Sequence, residues 1–135
     1  MLTDAGPLIA LIDADEPDHD RCRAALETIR LPLLTTWPAF TKAMYLVARV
    51  GGMRGQNALW RLTLRGDLQI ISPSMPTVQR TAALMEKYAD RPMDLADASL
   101  VALAEERDIT RIFTLDVDFH IYRLKGRRRF EVIPE

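Results

Sequence analysis

Short strand-like runs alternate along this chain with longer segments of helical period, and that alternation limits the folds open to it. Met1–Asp4 reads as a strand at the terminus. Leu33–Thr36, Leu68–Ile71, Arg111–Leu115 and Glu131–Pro134 read as four more. Each is too short to be a stable helix and is bounded by Asp, Ser, Pro or Gly. The segments between them read differently. Pro17 opens a helix to about Arg30, with Cys22, Leu26 and Ile29 on one face. Pro38 opens another, with Phe40, Ala43, Met44 and Val47 recurring, and Gly51-Gly52 stops it. Helices follow over Arg54 to Leu64, Pro76 to Tyr88 (Val78, Ala82 and Met85 on one face) and Asp94 to Arg107. Ala5-Gly6-Pro7 is expected to turn the chain ahead of the apolar run Leu8–Ile12, and residues 116–122 to form a turn or short helix. Strands alternating with helices predict an α/β domain, a three-layer α/β/α sandwich whose central sheet is largely parallel.

A chain of 135 residues can bury one core, and a single domain over residues 1–135 is expected. One Cys and two His exclude a disulfide framework and a structural zinc site, which fits a reducing cytoplasmic setting. No apolar run approaches the roughly 20 residues of a membrane span, so no membrane partner is expected. The formal net charge of −1 conceals an acidic start (Asp4, Asp13, Asp15, Glu16, Asp18, Asp20) and a basic run, Arg123, Lys125, Arg127, Arg128 and Arg129.

In open parallel sheets the ligand site lies at the carboxyl ends of the strands. Asp4 directly follows the first strand and Asp116 the fourth, so both carboxylates belong on one rim. Asp118 lies two residues further on. Asp94 and Asp97 open the helix that feeds the Asp116 strand. Any one of these acids can be explained as a cap or turn residue. Caps give no reason for acids at the ends of two separate strands as well. A converging all-oxygen set repels itself unless a hard divalent cation neutralises it, which points to Mg²⁺ or Mn²⁺. His19 and His120 read as surface residues and Cys22 as a core residue. No G-x-x-x-x-G-K phosphate loop occurs.

Thr3-Asp4-Ala5-Gly6-Pro7-Leu8, Thr35-Thr36-Trp37-Pro38, Met93-Asp94-Leu95-Ala96-Asp97-Ala98 and Phe113-Thr114-Leu115-Asp116-Val117-Asp118 resemble, in order and spacing, the successive motifs of PIN domains, in particular the compact VapC-like toxins of toxin-antitoxin pairs. The resemblance implies a metal-dependent endoribonuclease that cuts RNA and is held by a protein antitoxin. Asp4, Asp97 and Asp116 match the family's motif acids, which hold Mg²⁺ or Mn²⁺ and carry catalysis. Asp118 matches an additional metal-binding acid. One position departs from the pattern: Lys42 stands where the family has a carboxylate. Either it is a solvated helix residue, or its ammonium enters the cluster and pairs with Asp4 or Asp97. With Asp94 it is a candidate modifier of the acid site. If Lys42 abolishes metal binding, the alternative is a PIN-fold binding protein without catalysis. A receiver domain or aspartate-nucleophile phosphatase also uses acids at strand ends, but needs paired acids after the first strand, where Asp4-Ala5-Gly6 offers one.

The basic run follows Asp116 closely enough that Arg123, Lys125, Arg127 and Arg128 are candidate RNA contacts, although most such runs are solvated faces. Trp37 and Trp60 read as core or interface residues rather than stacking platforms. Phe40, Tyr45, Leu46, Leu59, Trp60, Leu62 and Leu64 exceed what one buried stripe per helix requires, and predict a homodimer face between Pro38 and Gly66.

Overall fold

The computed structural model describes residues 1–135. Five strands form one sheet: β1 (Leu2–Thr3), β2 (Leu33–Thr36), β3 (Leu68–Ile71), β4 (Arg111–Phe113) and β5 (Glu131–Ile133). Their spatial order is β3-β2-β1-β4-β5, and every neighbouring pair is parallel. The helices are α1 (Ala5–Ile12), α2 (His19–Glu27), α3 (Trp37–Leu64), α4 (Met75–Lys87) and α5 (Leu95–Arg107). The expected α/β architecture is therefore the observed one.

The two faces of the sheet are buried by different sets. On one side Leu8, Phe40, Val47, Leu59 and Phe113 pack together from α1, α3 and the sheet. On the other, Leu84, Leu100, Leu103, Phe119 and Tyr122 do so around α5. From Ala96 to Ala104 every residue of α5 is buried, which is why, apart from Asp97 and Ser99, that stretch is apolar around its whole circumference and shows little amphipathic pattern.

Four local readings change. Ala5-Gly6-Pro7 is not a turn but the first turn of α1: the Asp4 carboxylate accepts from the Ala5 N–H and caps the helix, and Pro7 sits where its missing N–H costs nothing. The second helix begins at His19, after Pro17. Gly51-Gly52 bends rather than ends the third helix: Gly52, at φ 55° and ψ −143°, is the one non-helical residue between two helical stretches. In α4 the inward face is Thr77, Thr81 and Leu84. Thr77 donates to Glu106 on α5 (2.7 Å) and Thr81 to the Thr77 carbonyl (2.8 Å), so hydroxyls are satisfied there, while Val78 and Met85 stay partly exposed on the neighbouring face.

The strand order decides where chemistry can occur. Connections from β1 run outward through β2 to β3, and the chain then crosses back to build β4 and β5 on the other side. The reversal falls between β1 and β4, the crevice in which doubly wound sheets bind their ligands.

Candidate metal centre

Register places Leu2 beside Ile112 and Thr3 beside Phe113, so Asp4 and Thr114 leave the sheet side by side. The Thr114 hydroxyl donates to Asp4 Oδ2 (3.1 Å) and accepts from the Asp116 N–H (3.0 Å), tying the two strand ends together. Asp4 Oδ1 accepts from the Ala5 N–H at 2.8 Å. Asp116 Oδ1 accepts from the Asp118 N–H at 2.9 Å.

The third carboxylate arrives from α5. Asp94 caps that helix by accepting from the Asp97 N–H at 2.8 Å, which fixes the first turn. Asp97 Oδ2 then accepts from the Tyr122 hydroxyl at 3.0 Å. One oxygen from each of Asp4, Asp97 and Asp116 lies within 4.8 Å of the others. Asp4 and Asp97 are buried, at 5% and 4% exposure.

Burial and crowding together disfavour ionisation of the cluster. The Asp97 carboxyl is pushed up to about 7, chiefly by burial and then by the charges of Asp94 and Asp4. Asp4 is raised as well, with burial dominating over the hydrogen bonds from Ala5 and Thr114. Asp97 Oδ1 is buried without a hydrogen-bond partner. A buried oxygen left unpartnered among carboxylates costs free energy unless a proton or cation satisfies it. Three hard oxygen donors and no nitrogen or sulfur fit a divalent cation of the Mg²⁺ or Mn²⁺ type.

The remaining candidates separate from this group. Asp118 lies in the short 3₁₀ turn Val117–His120 that Asp116 caps, and its carboxylate faces the Arg91 guanidinium at 3.3 Å instead of joining the three acids. Lys42 pairs with neither Asp4 nor Asp97. Its ammonium donates to Asp94 Oδ2 at 3.0 Å, and both side chains are almost half exposed. Partial burial alone would lower the Lys42 pKa, but the Asp94 bond and the charges of Asp94, Asp4 and Asp97 raise it on balance, so the ammonium persists. The same pairing, with the Asp97 N–H, holds Asp94 below the usual carboxylate range against the opposing effect of burial.

The basic run does not flank the acids. Arg128 pairs with Asp108, the residue that ends α5. Asp108 is eleven positions beyond Asp97, about 16 Å along the helix. Lys125 lies with Arg80, Glu105 and Glu106 toward that same end. Because β5 is parallel to β4, the intervening chain must travel back to the strand starts, and it carries these bases away from the rim. Arg123 stays nearer, but its guanidinium donates to the carbonyls of His120, Ile121 and Tyr122.

The expected homodimer face is also largely consumed internally: Phe40 and Leu59 are in the chain's own core, and Leu46 and Leu62 are partly covered. Tyr45, Trp60 and Leu64 remain exposed. Tyr122 and Thr114 went unnoticed in the sequence. Thr114 had a faint signal, two residues before Asp116 at a strand end. Tyr122 had none, since its contact with Asp97 spans 25 positions and exists only once α5 and the segment after β4 pack together.

An all-parallel sheet whose switch point gathers three acids, two of them buried, is the arrangement of the PIN domain, and the family model for that domain matches residues 1–125. The chain belongs to the PIN domain family. It is 30% identical over 135 residues to Ribonuclease VapC26 of Mycobacterium tuberculosis, a match spanning 99% of this chain and 100% of that protein. Among solved structures it resembles M. tuberculosis VapC20, described as a sarcin-ricin loop cleaving toxin, with a TM-score of 0.80 at 15% identity over 87% of this chain and 90% of the other. A chain from a toxin-antitoxin complex of Klebsiella pneumoniae gives a TM-score of 0.63 at 22% identity, covering 85% of each. Family membership sets aside the receiver and phosphatase alternatives.

Proposed function

We propose that this protein is an endoribonuclease that hydrolyses RNA phosphodiesters with a divalent cation held by Asp4, Asp97 and Asp116, and that it is the toxin of a toxin-antitoxin pair. The observation that carries the reading is the unpartnered Asp97 Oδ1 inside a three-carboxylate cluster at the sheet's switch point. Full-length similarity to a protein named as a ribonuclease supports it.

When bound, such a cation supplies charge neutralisation at the phosphate and a lowered pKa for water. The chain's own residues prepare the site. Thr114 and the Ala5 N–H orient Asp4. Tyr122 holds Asp97 Oδ2 and so leaves Oδ1 for the cluster. Asp94 fixes the backbone from which Asp97 projects. Asp97 takes up a proton as pH falls through about 7, and that proton competes with the cation for the same carboxylate.

Asp118 serves in this reading as an outer residue that orders the Asp116 loop through its N–H, with Arg91 balancing its charge. Lys42 modifies the site through Asp94. The protein works as one unit over residues 1–135 in the cytoplasm, with a protein antitoxin as partner. It forms a homodimer through Trp60 and Leu64, which stay exposed on the face expected between Pro38 and Gly66. No helix is long and apolar enough to cross a membrane.

Mn²⁺ or Mg²⁺ titration, read by melting temperature and by cleavage of RNA, tests the proposal on the native chain and on Asp97→Asn and Asp116→Asn. Metal-dependent stabilisation and chelator-sensitive cleavage in the native chain, both reduced in the variants, support it. The rival reading, a binding protein disabled by Lys42, requires that the native chain show neither while Lys42→Glu gains both. Light scattering of Leu64→Asp tests the dimer.

A further inference from the structure

Beside the acid cluster lies a shallow groove on the N-terminal half of α3. It is lined by Trp37, Thr41, Lys42, Tyr45, Asp94 and Leu95. Trp37 and Tyr45 are 46% and 62% exposed, unusual for large aromatic side chains. Trp37, Thr41 and Tyr45 recur every four residues and therefore share one stripe, with the two rings about 12 Å apart along the helix axis. Lys42 projects beside that stripe. Its one protein partner is Asp94, so two of its three N–H donors have none. The Arg49 guanidinium lies 5.9 Å from the Tyr45 ring and adds a second positive charge at the far end.

We propose that this groove is a subsite for single-stranded RNA flanking the scissile phosphate, in which Lys42 contacts a backbone phosphate and Tyr45 and Trp37 each stack a different base. The proposal rests on the nuclease reading and names where its substrate lies. Exposed aromatic rings interleaved with cations are the chemistry that binds single strands, because every base has a face to stack and every linkage a charge to neutralise. The groove is continuous with the cluster through Asp94, which grips Lys42 with one oxygen and the Asp97 N–H with the other. The basic run near the C-terminus lies toward the far end of α5, so Lys42 is a cation bonded directly to the residue that anchors Asp97. The substitution of a base for an acid at position 42 thereby acquires a use: a fixed positive charge on the substrate's path, outside the three metal-binding oxygens.

The test is fluorescence anisotropy of a labelled single-stranded oligoribonucleotide in EDTA across a salt series, with RNA cleavage in Mn²⁺ measured in parallel. Tyr45→Ala is expected to weaken binding at least 5-fold, and Tyr45→Phe to restore it. Lys42→Gln is expected to lower the slope of log affinity against log salt by about 0.7, whereas Lys42→Arg retains it. If Tyr45→Ala and Lys42→Gln bind RNA as the native chain does, while the native chain still cuts RNA and Asp116→Asn does not, the subsite is wrong and the nuclease reading stands. If the native chain neither binds nor cuts RNA, both fall. If Tyr45→Ala changes only the oligomeric state, the stripe is a protein contact and the proposal is overturned.

Discussion

Replacing Asp97 by Asn should make the metal-free protein more stable at pH 8, although a buried, hydrogen-bonded residue is being altered. Folding raises the Asp97 carboxyl from its ordinary value of 3.8 to about 7. A raised acid binds its proton more tightly in the native state, so the stability it contributes is complete below about pH 4 and is lost as pH rises through 7. At about 1.4 kcal/mol per tenfold change in proton affinity, the ionised side chain costs at most about 4 kcal/mol at pH 8. Solvent reaching the cluster screens part of this, and about 2 kcal/mol is a working figure. Asn keeps an acceptor for the Tyr122 hydroxyl and removes the charge. For 135 residues the unfolding entropy converts 2 kcal/mol to about 7 °C in melting temperature. Differential scanning fluorimetry in EDTA from pH 5 to 8 should show the variant above the native chain at pH 8, with the gap narrowing as pH falls. Mn²⁺ at a hundred times its Kd should then raise the native chain by about 2.7 kcal/mol and close the gap, because only the native site gains the full ligand set. A variant less stable than the native chain at pH 8 in EDTA, or a gap that ignores pH, would refute a strained, cation-requiring cluster.

Tyr122→Phe removes the donor to Asp97 Oδ2. It should lower the metal-free melting temperature by about 3–7 °C, and the pH at which Mn²⁺ begins to bind should rise, as a metal titration at several pH values would show. Lys42→Glu sets a carboxylate beside Asp94 in place of its ammonium partner. Calorimetry should show tighter Mn²⁺ binding, and fluorimetry a loss of a few degrees in EDTA, about 1 kcal/mol or less for so exposed a pair. Gly55→Ala would bring a Cβ to 2.6 Å from the Val47 carbonyl oxygen, forcing apart the two limbs of the bent α3. A destabilisation of about 1–3 kcal/mol is expected by thermal melting. Gly51→Ala meets nothing within 4 Å and should not lower the melting point.

The layer architecture and the two strand-end acids of the site follow from the order of residues along the chain alone. Short apolar runs alternating with helical ones permit little besides a parallel sheet covered on both faces. An acid immediately after a strand is carried to the rim whatever the rest of the chain does, which is why Asp4 and Asp116 were legible. Asp97 was legible as a residue of a helix's first turn feeding the same rim. Spacing could not say which acids would meet, because that depends on packing between segments far apart in the chain. Asp94 and Asp97 are three positions apart, yet one caps α5 at the surface and the other is buried against Tyr122. Asp118 turns to Arg91, and Lys42 finds Asp94 across 52 positions. The basic run follows Asp116 in sequence, but a parallel fifth strand obliges the chain to return to the opposite rim, so proximity along the chain became distance in space. Local chemistry is written in neighbouring residues. Which charges face one another is decided when helices dock on the sheet.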